Sequence, residues 1–258
     1  MADLAAERVP ELTPAVSVTS ARSMVPPPAA LPDVLPNERF NARGMPVRDL
    51  RDELRTIPNA RNVVAVAATL LQTYGVVIAA AVVNTWWSYL IAVILMARGH
   101  ACLNILGHEA AHRLLFSNRR ANDLVGRFLG YSSYTAMLAY RRVHFAHHRD
   151  EMGPDEPDLM LYSGYPIARD SWHRKLRRDL TGESASKNLR VLFRAARQRK
   201  AEALMILGLH AGLLALSIAF MRPFAYLVWI VSWSTLWKFS NRLRAVAEHG
   251  GMQRSRDR

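Results

Sequence analysis

Two long charge-free stretches dominate the chain. One lies between Arg61 and Arg98; the other covers residues 203–237, where Arg222 is the only charged side chain. The hydrocarbon core of a membrane takes about 20 helical residues, so each stretch can cross it twice if it folds back. The first has a turn signal at Asn84 and Thr85, followed by Trp86 and Trp87, whose indoles suit a membrane interface. The second has its turn signal at Arg222 and Pro223. The pattern predicts four spans, about 63–83, 86–106, 203–221 and 224–239, paired as two transmembrane helical hairpins. Buried helices of a soluble protein are the rival reading, and uncharged runs of this length argue against it.

The flanks read differently. Residues 1–46 are rich in Ala, Pro, Val and Ser, include Pro26, Pro27 and Pro28, and show no periodicity, which predicts a disordered head. Val47, Leu50 and Leu54, interleaved with Arg48, Arg51, Asp52 and Arg55, predict a short amphipathic helix that opens a membrane domain over 47–258. The N-terminus lacks the basic and apolar pattern of a cleaved signal peptide, so insertion is expected to use internal segments.

Charge then sets the orientation. The formal net charge is +13 over 258 residues, although half of the residues are hydrophobic. Much of the excess lies in the polar region 98–202, at Arg113, Arg119, Arg141, Arg149, Arg174, Arg177 and Lys200 among others. The positive-inside rule puts that region on the cytoplasmic side, and hairpin geometry brings both termini to the same side. The expected fold class is all-α integral membrane, with four spans and a cytoplasmic helical cap, in a bacterial cytoplasmic membrane. No nucleic-acid reader motif accompanies the basic residues, so no nucleic-acid partner is expected. The single cysteine, Cys102, excludes an intrachain disulfide and a cysteine zinc cluster.

The candidate chemistry is a set of histidines. His108-Glu109-Ala110-Ala111-His112 places two imidazoles one helical turn apart on one face. His144-Phe145-Ala146-His147-His148 offers three more at i, i+3 and i+4. Five imidazoles in two compact boxes suit a borderline transition metal such as iron or zinc. Glu248-His249-Gly250-Gly251 follows the last predicted span and would open on the same membrane face. Isolated His173 and His210 are read as structural, and so is His100, two turns before His108.

These boxes, HEAAH at 108–112, HFAHH at 144–148 and AVAEHGG at 245–251, set between two hydrophobic hairpins, resemble the membrane fatty acid desaturase and hydroxylase superfamily. The resemblance covers most of the chain from about Arg61 onward. It implies a four-helix membrane bundle under a cytoplasmic cap, with two irons held by about eight or more histidines. His108, His112, His144, His147 and His148 match the first two boxes as metal and catalytic residues, and His249 matches the isolated histidine before the third. Asp155 and Asp158 resemble the acidic segment after box two, where they orient ligands or cap a turn. The resemblance also implies a final HxxHH box some tens of residues beyond the EHGG-like element. A chain ending at Arg258 is therefore expected to be truncated, with its activity in doubt.

The implied reaction is O2-dependent di-iron desaturation of an acyl lipid. The implied electron donor is a separate ferredoxin or cytochrome/reductase. Hydroxylation of a lipid or carotenoid is the alternative within the superfamily. HExxH at 108–112 also fits a membrane zinc metalloprotease, and an inactive membrane protein is the non-enzymatic alternative.

Overall fold

In the computed structural model the described residues are 36–41, 45–150, 155, 157, 167–198 and 200–249, with the backbone alone described for His249. They are helical apart from turns and one isolated bridge between Phe40 and Pro46. They fall into two compact units that divide between Thr56 and Ile57. Most of the predicted head, 1–35 and 42–44, lies outside the described residues. The first unit contains the expected short amphipathic helix, α1 (Arg48–Leu54), whose buried residue is Leu50.

The second unit begins with α2 (Asn59–Val83) and α3 (Trp86–Ala111). Asn84 and Thr85 form the turn between them, as the pattern predicts. Asn84 takes the left-handed conformation, φ 52°, that ends many helices. Thr85 caps α3 reciprocally: its Oγ1 accepts from Ser88 N–H and its own N–H donates to Ser88 Oγ. At about 1.5 Å per residue α3 is about 39 Å long, against about 30 Å for a hydrocarbon core. The helix is thus long enough to cross such a core, and His108 is on its last turn.

Two cap helices follow, α4 (Arg119–Ser132) and α5 (Met137–Asp150). Asn118 starts α4 by accepting from the N–H groups of Arg120 and Ala121. Gly126 lets α4 lie against α3, because a Cβ there would fall 2.6 Å from the Cβ of Ala110. Then come α6 (Arg169–Leu180) and α7 (Glu183–Arg197).

The second hairpin departs from expectation. α8 (Ala201–Ala219) turns at Phe220, Met221 and Arg222 into α9 (Pro223–Ser234), with Pro223 in the first turn, where its missing N–H costs nothing. Arg222 at the turn donates to the carbonyl of Ala81 on α2. The predicted span 224–239, however, is not one helix. It breaks at Thr235, φ −120° and ψ −86°, whose hydroxyl donates to the Val231 carbonyl, and the chain restarts as α10 (Leu236–His249). Among the described residues, three helical stretches are long and apolar enough to cross a membrane: Arg48–Val83, which contains α2, then α3, and α8.

Packing explains the short α9. Val228, Trp229, Ser232 and Trp233 are buried, and Trp229 and Trp233 donate from their indole nitrogens to the carbonyls of Ser132 and Ser133. His100 is fully buried on α3 between the Ser133 hydroxyl and the Trp229 carbonyl. Beyond the break, α10 packs on α3 and α6. It is held there by Asp179 of α6, which takes a two-armed hydrogen bond from Arg242 and another from Ser184. Both charged side chains are almost wholly buried.

Removing one partner of such a pair strands a buried charge, at a cost of about 3 kcal/mol or more. Asp179→Leu and Arg242→Leu are each expected to lower the thermal unfolding midpoint in detergent markedly, and the Asp179→Leu/Arg242→Leu double variant by less than the sum. Additive losses would show that the pair does not couple α6 to α10.

Candidate metal centre

The last turn of α3 and the second half of α5 bring the two boxes together. One ring nitrogen each of His108, His112, His144 and His148 lies within 4.8 Å of the other three. His112 Nε2 is 2.8 Å from His144 Nε2, His148 Nε2 is 3.1 Å from His144 Nε2, and His148 Nε2 is 3.3 Å from His112 Nε2. Neutral imidazole carries one N–H, and three nitrogens in so small a triangle cannot all be satisfied by one another. A cation resolves this. Donors about 2.1 Å from a common ion sit about 3.0 Å apart in octahedral and about 3.4 Å apart in tetrahedral geometry. The donor set therefore fits a transition metal.

The protonation states agree with that use. Burial, then the neighbouring imidazoles of His108, His148, His112 and His147, push His144 down to about 3. Burial, then His108 and His148, lower His112 as well. Both rings are therefore neutral near pH 7 and present lone pairs. Glu109 approaches Nδ1 of His108 at 3.1 Å, an orienting carboxylate contact of the kind that aims the other nitrogen at a metal.

Several positioning residues carry no mark in a histidine pattern. Arg141, three residues before His144, donates through Nε to the Ala111 carbonyl at 3.0 Å and through one terminal nitrogen to the Ala110 carbonyl at 2.9 Å. It also meets Asp123 Oδ1 at 2.6 Å, and this bond holds the Asp123 carboxyl below the usual range. These carbonyls are at the end of α3, where a helix leaves acceptors unsatisfied. Asn122, fully buried, donates to the Ala110 carbonyl and accepts from Leu115 and Phe116 N–H, which pins the loop after His112. Tyr140 stacks on the His144 ring at 5.3 Å.

The other expected residues divide. His147 is buried beside the cluster, its ring 5.9 Å from His144 and 5.3 Å from His148, but it is not one of the four. His249 ends α10, and its side chain lies outside the described residues. Asp155 is exposed in a turn and Asp158 lies outside the described residues. His210 is in the helical bundle, stacked on Tyr134 at 3.6 Å and bonded to the Tyr131 carbonyl, in line with its structural reading.

A cavity of about 640 Å³ adjoins the cluster. His108, His144, His147 and His148 form one wall, and residues of α10, including Trp237, Lys238, Asn241 and Glu248, form another.

Comparison with known proteins follows the same line. The family described as "Fatty acid desaturase" matches residues 84–258. Dihydrorhizobitoxine desaturase from Bradyrhizobium elkanii is 32% identical over 106 residues, 40% of this chain and 28% of that protein's length. No solved structure matches the chain.

Two outcomes are expected. Arg141→Met should weaken metal binding about tenfold or more, as loss of an orienting partner does, in a chelator competition assay; unchanged affinity would remove Arg141 from the site. For the pH dependence, an unfolded histidine protonates near 6.5 while folded His144 resists until about 3. Its contribution to metal-free stability is complete above pH 6.5 and declines as pH falls from there toward 3. His144→Gln should flatten that part of the stability profile, and an identical slope would contradict the assignment.

Proposed function

Since the chain belongs to the fatty acid desaturase family, a family of oxidoreductases, we propose that it is an O2-dependent di-iron enzyme that introduces a cis double bond into an acyl chain. The observation that carries this reading is the clustering of four imidazoles from the end of α3 and from α5, with one nitrogen of each within 4.8 Å of the others. Iron, when bound, supplies the O2-activating redox chemistry that removes hydrogen from an unactivated methylene.

The chain's own groups do the rest. His108, His112, His144 and His148 would hold the first ion. His147, buried at the edge of the cluster, and His249, on the helix that lines the cavity, serve a second. Glu109 orients His108, and Arg141 keeps α3 and α5 in register. Neutral imidazoles bring no extra negative charge to a site near lipid. The aromatic floor of Tyr134, Trp233 and Trp237 in the cavity shelters the reacting methylene from water and fixes which carbon lies beside the histidines. Each turnover removes two hydrogens from the substrate and reduces O2 to two waters with two further electrons and two protons from solvent. A separate ferredoxin or cytochrome/reductase supplies those electrons, drawn to the basic cytoplasmic face. On this reading the protein is integral to the bacterial cytoplasmic membrane, with both termini and the boxes on the cytoplasmic side.

Desaturation is preferred to hydroxylation because the curated relative is named for desaturation. A zinc metalloprotease fits less well. A catalytic zinc keeps one open position beside three protein ligands, whereas four imidazoles converge here, and Glu109 faces His108.

Expression of the full-length protein in a bacterial host with a suitable electron donor, followed by lipid profiling, is expected to give a new unsaturated species and about two irons per chain. His144→Ala and His147→Ala should each abolish the species. One zinc per chain with peptidase activity lost in Glu109→Gln, or an unchanged lipid profile, would overturn the proposal.

A further inference from the structure

The wall that faces the histidines has its own chemistry. Lys238, near the start of α10, lines the cavity, and its Nζ lies 4.4 Å above the centre of the Trp233 ring. That ring contact is its one close contact among the described residues, and the charge of Asp179 also attracts it. The carboxylates that reach it or share its cavity are already used: Asp179 by Arg242 and Ser184, and Glu248 by Arg244. Two side-chain amides, Asn188 of α7 and Asn241 of α10, line the same cavity and make no side-chain hydrogen bond among the described residues. Lys238 and Asn241 are three residues apart on one helical face.

An ammonium drawn out of bulk water is costly, and Asp179, whose oxygens are already bonded to Arg242 and Ser184, offsets only part of that cost. Contact with an aromatic face offsets part of that cost and fixes the ammonium on the indole. Amide N–H donors lining the same cavity can complete a site for one negatively charged oxygen group. With Arg244 of the same cavity paired to Glu248, one unbalanced positive charge and two amides match the single charge of a carboxylate better than a phosphate dianion. The proposed function leaves the carrier of the acyl chain open, as free acid, ester or thioester.

We infer that Lys238, with Asn188 and Asn241, binds the carboxylate of the substrate, so that the molecule presented to the histidines is a free carboxylic acid and not an ester or thioester. This rests on the reading of the cavity as the reaction chamber. Lys238 is a substrate-binding residue here and takes no part in hydrogen abstraction. The acid group is held opposite the histidine wall, and the distance along the substrate from that anchor selects the carbon oxidised. Esters and thioesters offer no charge to Lys238 and leave its ammonium unpaired.

Binding is tested without turnover, by isothermal titration of the chain in phosphatidylcholine nanodiscs with hexanoate, methyl hexanoate and hexyl phosphate. Hexanoate is expected to bind about tenfold or more tightly than its methyl ester, the usual effect of a charge-assisted contact. Lys238→Met should bring hexanoate to the level of the ester, and Lys238→Arg should retain most of the preference. Lys238→Gln serves as a second neutral variant if Lys238→Met does not keep its helical circular dichroism. Equal binding of acid and ester, a preference that survives both neutral substitutions, or tighter binding of hexyl phosphate would each overturn the assignment. Iron content, measured separately, distinguishes the two failures: loss of acid preference with iron retained sinks this inference alone, and absence of iron sinks the di-iron reading.

Discussion

The carbonyl groups at the end of α3 are the constraint on which the site depends. A helix that leaves a membrane ends with acceptors that water or a side chain must satisfy. Here the carbonyls of Ala110 and Ala111 are met by Arg141 and Asn122. Arg141 is one turn before His144 on α5, so the bonds that finish α3 also bring the second histidine box onto the first. Asp123 closes the arrangement by neutralising the guanidinium.

That join explains why so small a triangle of imidazole nitrogens is sustained. Three neutral rings within hydrogen-bond distance of one another gain little without a cation, and their positions are imposed by the backbone beneath them. The Gly126 contact with Ala110 allows α4 to approach closely enough for Asn122 and Asp123 to reach that backbone. Burial keeps His144 neutral, and so ready to bind metal, at pH values where an exposed histidine is partly protonated.

The break at Thr235 matters as much as the histidines. An uninterrupted helix over 224–239 would have carried Lys238 along a membrane span, where an ammonium is expensive. Ending α9 at Ser234 lets Trp229 and Trp233 bury against the 132–133 backbone. It also lets α10 run past the cavity with Lys238 and Asn241 on its inner face. The buried pair of Asp179 and Arg242 holds α10 in that course.

The first hairpin, its turn at Asn84 and Thr85 and the pairing of imidazoles within each box could all be read from the sequence. Each depends on interactions within a few residues or on the absence of charge over a run. The break in the second hairpin could not be read, because the apolar residues on either side of Thr235 look alike in one dimension. What separates them is the presence of Ser132 and Ser133 carbonyls, supplied from a hundred residues earlier in the chain. Arg141 looked like one more topological charge for the same reason: its role appears only when α5 meets the end of α3. The sequence by itself determined which side chains could bind a metal and which segments could enter lipid, since both follow from residue type and local spacing. Only the tertiary structure decided which histidines share a centre, what orients them and what faces them, because those are contacts between distant segments.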